Sequence, residues 1–191
     1  LGGTTATRIR VIGLSPRTAY QMHVSVRGAG GKLRAYTETR TVRTAAAALP
    51  AAGRWMVLGN ALTGGAAQLY GGRAADATPL VLGAPDAAAD QQWQARALGG
   101  GRFLIRSRAS GKCVAPLGTV AVGAVLVQRG CSADDPGQRW RLVRNAHGFA
   151  LTTAEAGLVV GVSRLRFGEP RLLVLQRASG ARYQSWSASP A

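Results

Sequence analysis

The sequence predicts an all-β fold made of three copies of one unit, and three observations lead there. Gln-x-Trp triplets recur at Gln91-Gln92-Trp93, Gln138-Arg139-Trp140 and Gln184-Ser185-Trp186, with their tryptophans 47 and 46 residues apart. Self-similarity at a fixed period of this size marks a repeat architecture. The apolar stretches between triplets are short, glycine-rich turns separate them, and no helical periodicity persists, which is the pattern of strands. Units of about 46 residues cannot each bury a face alone. Closing three of them about a pseudo-threefold axis buries one shared core and removes exposed strand edges.

Each unit can be followed through the chain. Opening strands start at Trp55-Met56-Val57, Phe103-Leu104-Ile105 and Phe149-Ala150-Leu151. Each runs into a small-residue turn, at Gly64-Gly65, Ser110-Gly111 and Ala156-Gly157. A later apolar strand follows at PLVL (79–82), AVLVQ (124–128) and RLLVLQ (171–176), and the triplet closes the unit. The structural repeat motif is therefore Gln91, Trp93, Gln138, Trp140, Gln184 and Trp186. Its tryptophans belong in the shared core, where an aromatic ring buries a large area. Its glutamines can bond turn backbone, since an amide carries both donors and an acceptor.

Residues 1–46 read differently. Ile9, Val11 and Leu14 mark a first strand, Tyr20, Met22, Val24 and Val26 a half-buried second, and 36–42 a third, with GAGGK (28–32) as a turn. GLSPRTAY suggests a tyrosine corner at Tyr20. Gly13-Leu14-Ser15-Pro16, Tyr20 and Thr41-Val42-Arg43-Thr44 resemble the end of a fibronectin type III domain. The resemblance covers the last three strands of a seven-stranded sandwich. A half-sandwich would leave a sheet uncovered, so the expectation is that the rest lies upstream in a longer parent chain. The start, LGGTTATRIR, carries neither Met nor a signal peptide and fits the same expectation. The domain reading is a partial fibronectin-like segment over 1–46, a linker over 47–52, and the repeat domain over 53–191.

The repeats resemble a ricin-type β-trefoil lectin domain over about residues 53–188. The second unit is clearest: SGKCVAPLGTVAVGAVLVQRGCSADDPGQRWRLV carries the family's Ser-Gly-Lys-Cys opening, second Cys and Gln-Arg-Trp. The resemblance implies carbohydrate binding, often as an accessory module on a secreted hydrolase or toxin. It also implies where sugar sits. An Asp two positions after the first Cys accepts from sugar hydroxyls, an aromatic two positions before the second Cys stacks on the ring, and an Asn precedes the triplet. That division is physically sensible, because an aromatic face covers the apolar side of a pyranose while charged acceptors fix its hydroxyls.

Carried over, the second unit has Ala115, Arg129 and Gly137 at those positions. The third has residues near Gly161, Leu175 and Tyr183. The first has Leu69 or a neighbour, Leu82 or Gly83, and Asp90. No unit keeps the full set. The candidate carbohydrate-binding residues are those of the first unit, with Tyr70 stacking, Asp90 accepting and Gln68 beside them. The alternative makes Tyr70 a strand residue and Asp90 a solvated turn residue.

The 24 Lys+Arg against 8 Asp+Glu give a net charge of +16, almost all from scattered arginines. Two readings stand: a surface that attracts anionic polymer, or the codon bias of a GC-rich bacterial genome. Without a dense basic block or interleaved aromatics, no specific nucleic-acid partner is expected. Cys113 and Cys131, 18 residues apart, are either a disulfide, which points to secretion, or two buried thiols. No apolar run reaches the length of a membrane-spanning helix. Asp134-Asp135 reads as a solvated turn, and His23 and His147 have no nucleophile pattern beside them, so no catalytic residues, metal site or cofactor are expected. The functional reading is a non-catalytic, monomeric, carbohydrate-binding module of a secreted multidomain protein, with degenerate sugar sites. Its partner is a polysaccharide or glycan. The alternative is an interaction or spacer domain without sugar binding, contacting anionic polymer through Arg.

Overall fold

The computed structural model describes residues 18–45 and 49–191. In the first stretch, β1 (Ala19–Met22) pairs antiparallel with β4 (Arg40–Arg43), and β2 (Ser25–Arg27) with β3 (Leu33–Tyr36). A one-turn 3-10 helix at Ala29–Gly31 joins β2 to β3, where Gly30 and Gly31 both take a positive φ of 75°. The expected strand through Tyr20–Val26 is thus split in two, as is the one over 36–42. At the break Thr37 donates its backbone N–H to the Val24 carbonyl at 2.8 Å, and its hydroxyl accepts from the Val24 N–H at 3.0 Å. A threonine hydroxyl that takes a backbone donor competes with the strand ladder. The expected half-buried face is only partly covered: Tyr20 and Met22 are partly buried, but Val24 is 59% and Val26 56% exposed. The predicted first strand and the Gly13–Pro16 turn lie outside the described residues.

The repeat domain has four strands per unit. The first unit comprises β5 (Trp55–Asn60), β6 (Ala66–Leu69), β7 (Leu80–Gly83) and β8 (Gln92–Gly99). The second comprises β9 (Arg102–Ser107), β10 (Cys113–Pro116), β11 (Leu126–Arg129) and β12 (Trp140–Asn145). The third comprises β13 (Gly148–Thr153), β14 (Val159–Arg166), β15 (Arg171–Gln176) and β16 (Trp186–Pro190). First and fourth strands close an antiparallel ring in the order β5, β8, β9, β12, β13, β16 and back to β5. Second and third strands form three hairpins, β6–β7, β10–β11 and β14–β15. Pairing of β15 with β7 and the bridges Pro79–Val127 and Val125–Val174 lock the hairpins into a cap. This is a β-trefoil: a six-stranded barrel with a triangular hairpin lid. Ring closure leaves no barrel edge for another chain to pair with.

The core repeats with the sequence. Trp93, Trp140 and Trp186 are 0%, 0% and 2% exposed. Each indole Nε1 donates to a carbonyl 26 residues earlier: Ala67 at 2.9 Å, Val114 at 3.1 Å and Val160 at 3.0 Å. A buried indole N–H needs such an acceptor. Leu58, Ile105 and Leu151, then Leu80, Leu126 and Leu173, add two further threefold layers. Together they leave an apolar void of only about 10 Å³ near the axis. The turn after each opening strand repeats too. Gly64, Gly111 and Gly157 have φ of 71°, 73° and 66°, and their N–H groups donate to Asn60, Ser107 and Thr153. Only glycine takes that left-handed conformation without strain.

Cys113 and Cys131 form a disulfide with a Cα–Cα distance of 4.9 Å, which decides between the two readings of the pair. It ties β10 to the chain just beyond β11.

Two measurements probe this core. Trp140→Ala should lower stability by about 3–5 kcal/mol, seen as a fall in the urea midpoint, because the core cannot refill an indole-sized space. An unchanged midpoint would remove the indole from the core account. Reducing and alkylating the Cys113–Cys131 bridge should cost about 2–3 kcal/mol through the freed loop. Mass spectrometry without reductant should find no alkylated thiol.

Candidate functional site

Strand register fixes which residues are equivalent in the three units. Cys113 pairs with Arg129, Ala66 with Gly83, and Val159 with Gln176. The position two beyond the first cysteine is therefore Gln68, Ala115 or Gly161. The position expected to hold an aromatic is Gly83, Arg129 or Gln176. This narrows two expectations to one residue each: Gln68, the neighbour of Leu69, in the first unit, and Gln176, next to Leu175, in the third. Leu69 and Leu175 are fully buried. Because successive strand residues face opposite sides, a one-residue slip exchanges core for surface.

At two of the sites one side chain fills the space that its partner leaves. A β-carbon at Gly83 would lie 1.9 Å from Gln68 Oε1, and one at Gly161 would lie 2.1 Å from Gln176 Oε1. Gln68 thus lies across Gly83, and Gln176 across Gly161. In the second unit the small residue is Ala115 and the large one Arg129. The triplet glutamine then holds a polar group at each mouth. Gln91 Nε2 donates to Gln68 Oε1 at 2.9 Å, and Gln184 Nε2 to Gln176 Oε1 at 2.9 Å. Gln138 Nε2 donates to Asp135 Oδ2 at 3.2 Å, and Asp135 pairs with Arg129 at 3.1 Å.

The glutamines also bond the turns before them, as their chemistry predicts. Gln91 Oε1 accepts from the N–H groups of Asp86 and Ala87, Gln138 Oε1 from Ser132, and Gln184 Oε1 from Ser179. Each of these glutamines ends a one-turn 3-10 helix: Ala89–Gln91, Pro136–Gln138 and Arg182–Gln184.

In the first unit Gln91 bonds Gln68, and the carboxylate of its chain neighbour Asp90 faces Gly72. Burial raises the Asp90 pKa above the ordinary carboxylate range, partly offset by a backbone hydrogen bond, with the Asp86 charge adding to the rise. The Tyr70 ring has other partners. It meets Phe167 edge-on at 4.7 Å, lies under Arg73 at 5.3 Å, and packs beside Val81, Leu172 and Val174. Asp135 is no free turn residue: it caps its 3-10 helix by accepting from Gly137 and pairs with Arg129. His147 lies in the β12–β13 turn, where its N–H bonds Asn145. Among the described residues, no three His, Cys, Asp or Glu converge as metal ligands would.

Two open concavities mark the surface, one of them at the third-unit position. One, of about 760 Å³, surrounds Trp55, whose ring lies 5.6 Å beneath Arg108. The other, of about 670 Å³, is lined by Ser163, Arg164, Arg171, Gln176 and Tyr183 of the third unit and Thr63 of the first. These arginines were not singled out from the sequence. A signal was present. Gly71 and Gly118 have φ of 60° and 75°, but the equivalent third-unit residue is Arg164, inside an alternating Ser-Arg-Leu-Arg run. That run extends β14 to Arg166.

Comparison with known proteins agrees with this geometry. A model of the ricin-type beta-trefoil lectin domain-like family matches residues 89–165. No curated protein matches the chain. Among solved structures, ThreeFoil, a designed threefold-symmetric protein, shares 22% identity at a TM-score of 0.67, over 72% of this chain and 99% of its own. A ricin B-like lectin of Macrolepiota procera, solved with lactose, shares 18% at 0.64, over 75% of this chain and all of its own. An exo-beta-1,3-galactanase of Clostridium thermocellum shares 16% at 0.67, over 91% of this chain but 46% of its own. At such identities the likeness is one of fold. The repeat domain has the β-trefoil fold, and over residues 89–165 it is similar to the ricin-type lectin domain-like family.

The raised Asp90 pKa has a definite sign. The folded state holds that proton more tightly than the unfolded chain, so the group favours folding at low pH. That contribution is lost as pH rises through the ordinary carboxylate range and past the raised value. Asp90→Asn should therefore stabilise the protein at neutral pH, with the gain shrinking towards zero in acid. Urea midpoints at several pH values read this directly, and an equal gain at all pH values would contradict it.

Proposed function

We propose that this chain is a non-catalytic carbohydrate-binding module of a secreted multidomain protein, with its β1–β4 segment the end of a fibronectin type III domain. The observation that carries the reading is the polar group held by the triplet glutamine at all three equivalent mouths: Gln68, Asp135 and Gln176. Sugar recognition needs polar groups held in fixed orientation at a surface depression, and rigid strands supply that. The Macrolepiota relative bound lactose, which supports the same class of ligand. The disulfide fits an oxidising compartment.

The sites are weak ones. None has the Asp acceptor or aromatic platform at its expected position, and one charged hydrogen bond contributes about 1.5–3 kcal/mol. In the first unit, Gln68 and Asp90 are the residues proposed to meet sugar hydroxyls, supported by the bond that fixes Gln68 to Gln91. Tyr70 supplies a stacking face only if its contact with Phe167 opens.

A second reading has its own observation: 24 basic residues face 8 carboxylates, so most cations have no carboxylate to neutralise them. The domain then adheres to anionic polymer through diffuse charge.

Retention on insoluble neutral polysaccharide separates the two. Lectin-like binding should survive about 0.5 M salt and be competed by free sugar, whereas exposed charge contacts are screened there. Retention lost at high salt, or indifferent to free sugar, would overturn the first reading.

A further inference from the structure

We propose that the groove between β14–β15 and the Thr63 turn binds the acid group of an anionic sugar residue, a uronate carboxylate or a sugar sulfate. This rests on the carbohydrate-binding reading and names the ligand class of one site.

Three observations point to an anion. The first is the lining. Arg164 and Arg171 border the groove with Tyr183, Gln176, Ser163 and Thr63, and no carboxylate lines it. Among the described residues neither arginine pairs with an acid. Arg171 makes one long bond, 3.5 Å, to the Ser163 carbonyl, and both arginines are exposed. A site that reads neutral hydroxyls through a carboxylate presents acceptors. This one presents donors, and a guanidinium fork matches a carboxylate or sulfate in shape as well as charge.

The second is a like-charge pair. Arg166 and Arg171 are directly opposed across the hairpin, and Arg164 lies two residues before Arg166. Like charges facing one another on adjacent strands are destabilising. Glu169, in the intervening turn, answers Arg166 with its backbone carbonyl. A bound anion would offset the repulsion that this arrangement otherwise carries.

The third is that the arrangement is peculiar to this unit. The equivalent segments of the other units turn away at Gly71 and Gly118, whereas here the hairpin continues and raises a wall of side chains. The sugar-facing part of the groove is also ordered. Gln176 Oε1 is held by Gln184 at 2.9 Å and its Nε2 donates to the Val162 carbonyl at 3.4 Å, while Tyr183, 36% exposed, offers a ring and a hydroxyl. The acid group would sit against the two arginines and the pyranose face against Tyr183.

The test titrates the intact chain with an oligogalacturonate, a galactose 6-sulfate, neutral galactose and inorganic sulfate at about 150 mM salt, where diffuse attraction is already screened. Binding is followed by isothermal titration and by the side-chain NMR signals of Tyr183 and Gln176. At least one acidic sugar should bind more tightly than neutral galactose and shift both signals. Which acidic sugar does so distinguishes carboxylate from sulfate. The double variant R164Q/R171Q should weaken that binding about tenfold or more. The double variant R96Q/R141Q, which removes two exposed charges from barrel strands, should leave it within about twofold. The urea midpoint of R164Q/R171Q should be equal to or above that of the parent, since a like-charge pair is relieved.

Equal losses in the two double variants would overturn the proposal in favour of diffuse charge, and so would inorganic sulfate competing as well as the sugar. Retention of neutral polysaccharide with no acidic-sugar response at Tyr183 and Gln176 would overturn this site alone and leave the lectin-like reading intact. Absence of binding to every saccharide would overturn both.

Discussion

The contact on which the domain depends is the bond from each buried indole to a strand carbonyl 26 residues earlier. The tryptophans stand on the closing strands β8, β12 and β16, and their acceptors on β6, β10 and β14. Each indole therefore rivets barrel to cap, using its area for the barrel core and its N–H for the hairpin. The buried ring could not hold that N–H without a partner, since an unmet donor in the interior costs about 1–3 kcal/mol. The glutamine two residues earlier fixes the turn from which the tryptophan enters. The triplet is thus one device: the amide sets the approach of the chain and the indole sets its depth.

With the interior so constrained, divergence falls on the outer ends of the same hairpins. The pairs Gln68/Gly83, Ala115/Arg129 and Gly161/Gln176 combine a large with a small residue, and in two of them the large side chain lies where a β-carbon on the small one would be. Close packing explains the pairing, because a bulky residue on both strands could not be accommodated. The chemistry presented has nevertheless changed from unit to unit. The first unit shows an amide and a carboxylate, the second a closed ion pair, and the third a pair of arginines. Three positions alike in strand geometry thus present different charge.

The N-terminal strands lack such a constraint. Among the described residues they form two separate two-stranded ladders with exposed valines, and the long strands expected there are interrupted where Thr37 bonds Val24. Isolated two-stranded ladders have little to bury, and local side-chain bonds can then decide where a strand ends.

The sequence by itself determined the number of units, their strand content and the fate of the tryptophans and glutamines, because spacing and residue type carry those properties. Gly64, Gly111 and Gly157 were likewise legible as turns, since their requirement is local. The alignment of the pocket positions was only nearly legible. It reached Leu69 or a neighbour and the vicinity of Leu175, and only cross-strand pairing, which fixes the register of an alternating strand, selects Gln68 and Gln176. Tertiary structure alone decided that Tyr70 would lean on Phe167 from another unit and that Arg164 and Arg171 would share a groove with Thr63. Those neighbours are up to about a hundred residues apart in the chain, and only closure about the threefold axis brings them together.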